Sequence, residues 1–519
     1  MSAARVAPLA LLLVALAAAA PPMAAAAVPV ACPPRPLARC FTVTVPLDRS
    51  GAVPGDVRLR AARVRAPRPA RRARPPLIAL TGGPGQAGVV FAERFAILLP
   101  AASRDLVVFD QRGTGASGLL RCRRLERRLP ASFATPAGAC GRRLGARRSF
   151  YTSADSAEDL EALREHIGAP QIALYAISYG TRVAVEYARR HPDRVERMVL
   201  DSPIGPGAPD PLARETLAAV PRVLHSACRG GGCGPAGGRP VADVAALRAR
   251  LRRAAIRRVV RGVPVRVDAD DLLTMLVLAD TDPALMRAIP PAVRAALGGR
   301  SGPLVRLRRT LLGTSDVGGV SEFSPALFAT TTCEESPRAW DPAAGPAVRR
   351  SQARAPAAAT PLTALYPFDR AAAIAGGLLS LCADWPAPAR AVAPAPELTA
   401  HIPTLVLSGE LDLRTPLEKA RELARALPGA RLVVERGAGH GVLGVLGSCA
   451  DGAVWAFLDR RPEPRCVRRG AGPAGSSARV RSGRRRACAS SCPASFTGRP
   501  FTTVSASASA RTTSSPPGR

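Results

Sequence analysis

Leu174-Tyr175-Ala176-Ile177-Ser178-Tyr179-Gly180 is the stretch on which the reading of this chain turns. An apolar, β-prone run ends in a serine with small residues two positions to either side. A helix-like segment follows, Thr181 to Arg190. Strand, sharp turn and helix in that order form a nucleophile elbow, which holds a serine hydroxyl clear of the backbone. The turn forces the serine into an unfavourable conformation, and bulk two residues away would clash. The usual pattern is Gly-x-Ser-x-Gly; here Ala176 stands for the first glycine and is small enough to fit. The helix N-terminus beyond the serine favours developing negative charge.

Working outward from the elbow, short apolar runs mark further strands. Phe41 to Pro46 and Val57 to Val64 read as an antiparallel pair. Leu77-Ile78-Ala79-Leu80 leads into Thr81-Gly82-Gly83-Pro84-Gly85, and Leu106-Val107-Val108-Phe109 into Asp110-Gln111-Arg112-Gly113. A helix from about Ser156 to Ile167 precedes the elbow strand, and Val195 to Leu200 follows it. Apolar strands separated by helical segments predict an α/β fold with a mostly parallel sheet covered on both faces. From Ile204 to Ala400 the rhythm changes to helices and loops, including Val241 to Val260 and Asp270 to Leu278. Strands resume at Pro403 to Leu407 and Ala430 to Glu435. The expected organisation is a core over 28–203 and 401–467, with a mainly helical cap inserted at 204–400.

The ends of the chain read differently. Arg5, the apolar run Pro8 to Ala20 and the small residues Ala24 to Ala27 form a secretory signal, with residues 1–27 removed on export. That run is too short to span a membrane, and no other segment suffices. Residues 468–519 are poor in apolar residues and rich in Arg, Ser, Ala, Thr, Gly and Pro, the composition of a disordered tail. The 12 cysteines suit an oxidising compartment. Neighbours in sequence suggest Cys32–Cys40, Cys122–Cys140, Cys228–Cys233, Cys449–Cys466 and Cys488–Cys492, leaving Cys333 for Cys382. Sequence alone does not fix the connectivity. No Cys-x-x-Cys pair recurs and no histidine stands at ligand spacing from the cysteines, so no metal or other cofactor is expected.

A net charge of +34 raises a nucleic-acid reading. It is set aside because the arginines are spread along the chain and aromatics make up only 4% of residues, too few for base stacking. Arginine carries nearly all the positive charge, Lys419 being the sole lysine. No nucleic acid and no integral membrane segment are expected. The oligomeric state is not legible.

A serine needs a base, and the base needs an orienting acid. After an elbow on such a sheet the order is serine, acid, histidine. Asp412 follows the strand that begins near Leu405. His440 lies in Gly437-Ala438-Gly439-His440-Gly441 after the next strand. His166, His191, His225 and His401 fall in helices, the insertion or ahead of a strand. Glu410 and Asp201 are the rival acids; Asp412 is preferred by its place. Two backbone N–H groups must meet the oxyanion, and Gly83 and Tyr179 stand where these are needed. The expected catalytic residues are therefore Ser178, Asp412 and His440, with Gly83 and Tyr179 as the oxyanion hole.

Taken in order, Val45-Pro46-Leu47-Asp48, Gly82-Gly83-Pro84-Gly85, Asp110-Gln111-Arg112-Gly113, Ser178-Tyr179-Gly180, Gly409-Glu410-Leu411-Asp412 and Gly439-His440 resemble a known family. It is the α/β-hydrolase serine peptidases of the proline iminopeptidase type, in their secreted tripeptidyl-aminopeptidase-like branch. Thr81 stands where that family often has histidine, and Ala176 where it has glycine. The resemblance implies release of residues or short peptides from free N-termini without a cofactor. Such enzymes bind the substrate ammonium through acidic cap residues, which points to Glu334 or Glu335. A solvated charge pair is the equal alternative for those two. An esterase or lipase with the same triad is the alternative activity.

Overall fold

A computed structural model of the chain describes residues 30–31, 38–66, 74–99, 104–126, 134–207, 209–234, 238–313, 321–390, 397–445 and 448–462. The signal segment and the tail lie outside these residues. Among them, nine strands form one sheet in the order β1-β2-β3-β5-β4-β6-β7-β10-β11. They are β1 (Val30–Ala31), β2 (Ala38–Pro46), β3 (Asp56–Val64), β4 (Leu77–Leu80), β5 (Leu106–Phe109), β6 (Ile172–Ile177), β7 (Val195–Asp201), β10 (Thr404–Gly409) and β11 (Ala430–Glu435). The remaining two, β8 (Ile256–Val260) and β9 (Val263–Val267), form a separate hairpin. Pairing is antiparallel from β1 through β3 to β5. It is parallel from there to β11.

Every residue of β4, β5, β6 and β7 is buried, which explains why β4, β5 and β6 read as unbroken apolar runs; β7 also buries Glu196, Arg197 and Asp201. Alternate side chains serve opposite faces. Leu174 and Ala176 join the core shared with Leu160, Leu163, Val183 and Tyr187, from the helices Ser153–His166 and Tyr179–Arg190. Ala173, Tyr175 and Ile177 join the other core, with Phe95, Ala453 and Val454. Thr152 caps the helix Ser153–His166 in a reciprocal box with Asp155, so that helix starts three residues earlier than the apolar spacing indicates.

Between β7 and β10 the chain forms helices and the β8–β9 hairpin. The sequence reading carried a helix on to Val260, and the structure corrects it. The helix Pro240–Arg253 ends early, and the β-branched run Ile256 to Val260 pairs with Val263 to Val267. Arg261 and Gly262 both take positive φ, +50° and +76°, which suits a tight turn matched to strand twist. Part of this insertion has a hydrophobic core of its own, built from residues such as Leu224, Leu247, Met275, Ile289 and Leu304. That core also takes in Leu411 and Leu413, which flank Asp412. No helix among the described residues is long and apolar enough to cross a membrane.

Three of the suggested disulfides are formed: Cys122–Cys140, Cys228–Cys233 and Cys333–Cys382. Cys40 and Cys449 are also disulfide-bonded. Cys32, Cys466, Cys488 and Cys492 lie outside the described residues.

Candidate active site

Ser178 sits between β6 and the helix Tyr179–Arg190 with φ +55° and ψ −126°. A non-glycine residue held there costs about 1–3 kcal/mol and persists only where its surroundings impose it. Here its N–H donates to the Asp201 carbonyl at 3.0 Å, and its carbonyl accepts the Thr181 N–H at 2.9 Å. Gly180 lets the helix close on β4: a Cβ there would lie 2.7 Å from the Thr81 carbonyl oxygen. Ala176, the departure from the usual pattern, is fully buried in β6 opposite Leu80 and Leu200.

The glycine loop after β4 lies against the serine. A Cβ on Gly82 would fall 2.8 Å from Ser178 Cβ and 3.2 Å from its Oγ. Gly83 has φ +107°, and a Cβ there would press on the Gly85 nitrogen at 2.7 Å. Below the loop, Asp110 Oδ1 accepts the N–H groups of Gly88 and Val89, each at 2.8 Å. Arg112 forms a buried ion pair with Asp159, at 2.6 Å and 2.5 Å, and also donates to the carbonyls of Leu47 and Phe150.

His440 and Asp412 come from loops after β11 and β10. His440 Nδ1 lies 3.0 Å from Asp412 Oδ2. With Nδ1–H given to the carboxylate, Nε2 keeps its lone pair. Burial alone would pull the imidazolium pKa down; the charge and hydrogen bond of Asp412 outweigh it and hold the pKa above 6.5. Burial works against ionisation of Asp412 too, yet His440 and the Thr415 donors bring its pKa below the ordinary value.

Thr415 was not singled out from sequence. Its N–H donates to Asp412 Oδ1 at 2.9 Å, and its hydroxyl lies 2.8 Å from Oδ2, 3.2 Å from His440 Nδ1 and 2.9 Å from the Ser202 carbonyl. Its one proton serves Asp412 Oδ2 or the Ser202 carbonyl, since Nδ1 carries its own proton and accepts none. A lone Thr-Pro after the acid carried no signal beyond a helix start.

The rival acids are engaged elsewhere. Asp201 accepts from Tyr175 Oη, Ser202 Oγ and the N–H groups of Val442 and Leu443, so it anchors the loop just after His440. Glu410 binds Arg229, Ser226 and the Gly437 N–H. Two of the other histidines pack structurally: His166 stacks on Phe41, and His191 sits 3.4 Å from Glu158.

The insertion approaches this region from three sides. Ser324 donates its N–H to the Gly85 carbonyl, and Ala87 donates to the Glu322 carbonyl. Glu335 lies 3.4 Å from Tyr179 Oη and 3.2 Å from Arg182 Nε. Asp280 accepts the His440 N–H. The adjacent Glu334 is committed to Arg148 at 2.8 Å, Ser149 at 3.0 Å and Trp385 Nε1 at 2.7 Å. Burial raises the Glu335 pKa, opposed by Arg182.

The class these features define is the α/β hydrolases. A family model described as alpha/beta hydrolase fold matches residues 75–225, and one described as TAP-like protein matches 366–468. The chain is 25% identical over 475 residues to a tripeptidyl aminopeptidase of Streptomyces coelicolor, spanning 82% of this chain and 81% of that protein. It is 25% identical over 425 residues to the serine protease Hip1 of Mycobacterium tuberculosis, across 74% of this chain and 78% of the relative. A shorter match, 32% over 125 residues, is to a probable proline iminopeptidase of Streptomyces coelicolor; it covers 24% of this chain and 32% of that one. The protein is thus a serine hydrolase of the α/β-hydrolase fold, similar over most of its length to tripeptidyl aminopeptidases.

Proposed function

We propose that this chain is an exported aminopeptidase that releases residues or short peptides from free N-termini, with Ser178, His440 and Asp412 as its triad. The observation that carries the reading is the His440–Asp412 pair at 3.0 Å, together with a serine held at φ +55° on a helix N-terminus. Ser178 Oγ attacks the scissile carbonyl while His440 Nε2 takes its proton. Asp412 keeps Nδ1 protonated and offsets the charge of the imidazolium. The Gly83 and Tyr179 N–H groups receive the oxyanion. His440 returns the proton to the departing amine, and water then attacks the acyl-enzyme by the same path in reverse.

Glu335 is the receptor for the substrate ammonium. It borders Tyr179, next to the nucleophile, and also meets Arg182 and the Ser153 N–H, whereas Glu334 is held farther from the serine's helix by Arg148, Ser149 and Trp385. The insertion at 204–400 acts as a cap: its contacts with Gly85, Tyr179 and His440 support this role. Export is supported by the signal-like leader and by the disulfides.

A fluorophosphonate probe should label the protein, with the adduct mapped to Ser178 by mass spectrometry. Glu335→Gln should raise KM for free-amine amides while leaving N-acetylated esters unaffected. Labelling that survives Ser178→Ala would end the triad reading, and an unchanged KM in Glu335→Gln would end the ammonium assignment.

A further inference from the structure

Asp280 turns the corner between the helices Asp271–Ala279 and Pro283–Leu297, inside the insertion, and is fully buried. Its carboxylate reaches out of the insertion. Oδ2 accepts the N–H groups of Leu413 at 3.2 Å and Arg414 at 3.0 Å, the two residues after Asp412. Its main-chain carbonyl accepts the His440 N–H at 2.7 Å. The approach is close enough to dictate sequence: a Cβ on Gly439 would lie 1.6 Å from that carbonyl oxygen. One residue of the insertion thus holds two loops that leave different strands, β10 and β11.

The charged groups facing Asp280 are Asp412, His440 and Arg414, the last with Nε 3.1 Å from Oδ1. One ligating atom from each of Asp280, Asp412 and His440 lies within 4.8 Å of the others. A carboxylate buried beside a second carboxylate is unfavourable by desolvation and by repulsion. The two loop N–H groups and the distance from His440 to Asp412 are what it serves.

We propose that Asp280 is a positioning residue for the reaction, fixing the acid and base loops against each other from the insertion. The proposal rests on the triad reading above. It makes the insertion part of the catalytic framework as well as a cover: substrate binding that shifts the helix corner also shifts Asp412 and His440. Two features of the titration agree. Burial first, and then Asp412, push the Asp280 carboxyl up to about 6. Asp280 in turn helps to hold His440 above its ordinary value.

The test is the pH profile of Asp280→Asn on a chromogenic tripeptidyl amide, with melting temperature measured in parallel. Asparagine keeps an acceptor for the loop and removes the charge. The expected result is kcat lower by about tenfold, because small misplacements of catalytic groups are costly, with KM within about twofold. The acid limb of kcat/KM should move to lower pH by ~0.5–1 unit, since one carboxylate no longer supports the imidazolium. Should the single variant not fold, Asp280→Asn with Arg414→Gln removes the buried charge and its counter-ion together, and the same kcat loss and downward limb shift are expected. A folded variant with wild-type kcat and an unmoved limb overturns the assignment. So does a kcat loss that merely follows the melting temperature, with the limb unmoved. Ser178→Ala separates the two readings: turnover that survives it overturns the triad, whereas Ser178-dependent turnover with an unmoved limb overturns only the role of Asp280.

Discussion

Gly180→Ala tests whether the elbow is held by backbone contact, because two effects of the change have opposite signs. Gly180 lies in the helix Tyr179–Arg190, in its first turn and without a positive φ. Helix propensity alone would make alanine more stable by about 1 kcal/mol. The new Cβ, however, would sit 2.7 Å from the Thr81 carbonyl oxygen, 2.8 Å from that of Leu80 and 3.1 Å from the Leu80 carbonyl carbon. All three are main-chain atoms at the end of β4, which lies between β5 and β6 in the sheet. No rotamer change relieves them, so the helix must lift from the strand. Overpacking of this kind costs roughly 1–3 kcal/mol. A net loss of about 0–2 kcal/mol remains after the propensity gain, which in a chain of this size lowers the melting point by at most a few degrees. The lift also carries the Tyr179 N–H away from Gly83. Loss of one oxyanion donor costs about 10²- to 10³-fold in kcat, so partial misalignment should cost about tenfold. Differential scanning calorimetry and steady-state kinetics on one preparation read both effects. A variant that melts higher than wild type and keeps its kcat would refute the reasoning.

Two further outcomes follow from the core and from the histidine. Asp159→Ala strands the Arg112 guanidinium, whose side chain is 1% exposed, so denaturant titration should show a loss of about 3–5 kcal/mol; a loss below about 1 kcal/mol would contradict a buried pair. Asp412 raises the His440 pKa above 6.5, and the proposed base acts when neutral, so the acid limb of kcat/KM should lie above pH 6.5. In Asp412→Asn, the largest support of the imidazolium is lost and only Asp280 still opposes burial, so the limb should move to lower pH. The same shift makes a stability contribution that is complete below pH 6.5 and disappears as pH rises through the folded pKa. Thermal melts across that window should show the loss in wild type and not in Asp412→Asn.

The strands of the sheet centre were legible because burial on both faces leaves no polar residue to blur their ends: Leu77–Leu80 and Leu106–Phe109 begin and end where the apolar runs do. The elbow was legible because its geometry restricts residue type at two fixed offsets from Ser178. Asp412 and His440 were proposed from their order along the chain, and in the structure they lie 3.0 Å apart. Thr415 and Asp280 were not legible. Each is an ordinary polar residue whose importance comes from loops brought together by the fold, with no local pattern to mark it. The β8–β9 hairpin was missed because arginines interrupt its β-branched residues, and its turn is Arg261-Gly262 instead of a recognisable Asn-Gly or Asp-Gly. Between Glu334 and Glu335 sequence gave no preference. We favour Glu335 for its place 3.4 Å from Tyr179 Oη.

The central claim is that a Ser178-dependent hydrolase acts on peptides with a free N-terminus. It is tested most directly by comparing kcat/KM for one tripeptidyl p-nitroanilide with its N-terminus free and acetylated, in wild type and in Ser178→Ala. The free form should be preferred by at least about tenfold, the worth of a hydrogen bond to a charged group, and Ser178→Ala should abolish turnover of both. Equal turnover of the two forms, or cleavage of p-nitrophenyl esters with neither amide touched, would contradict it.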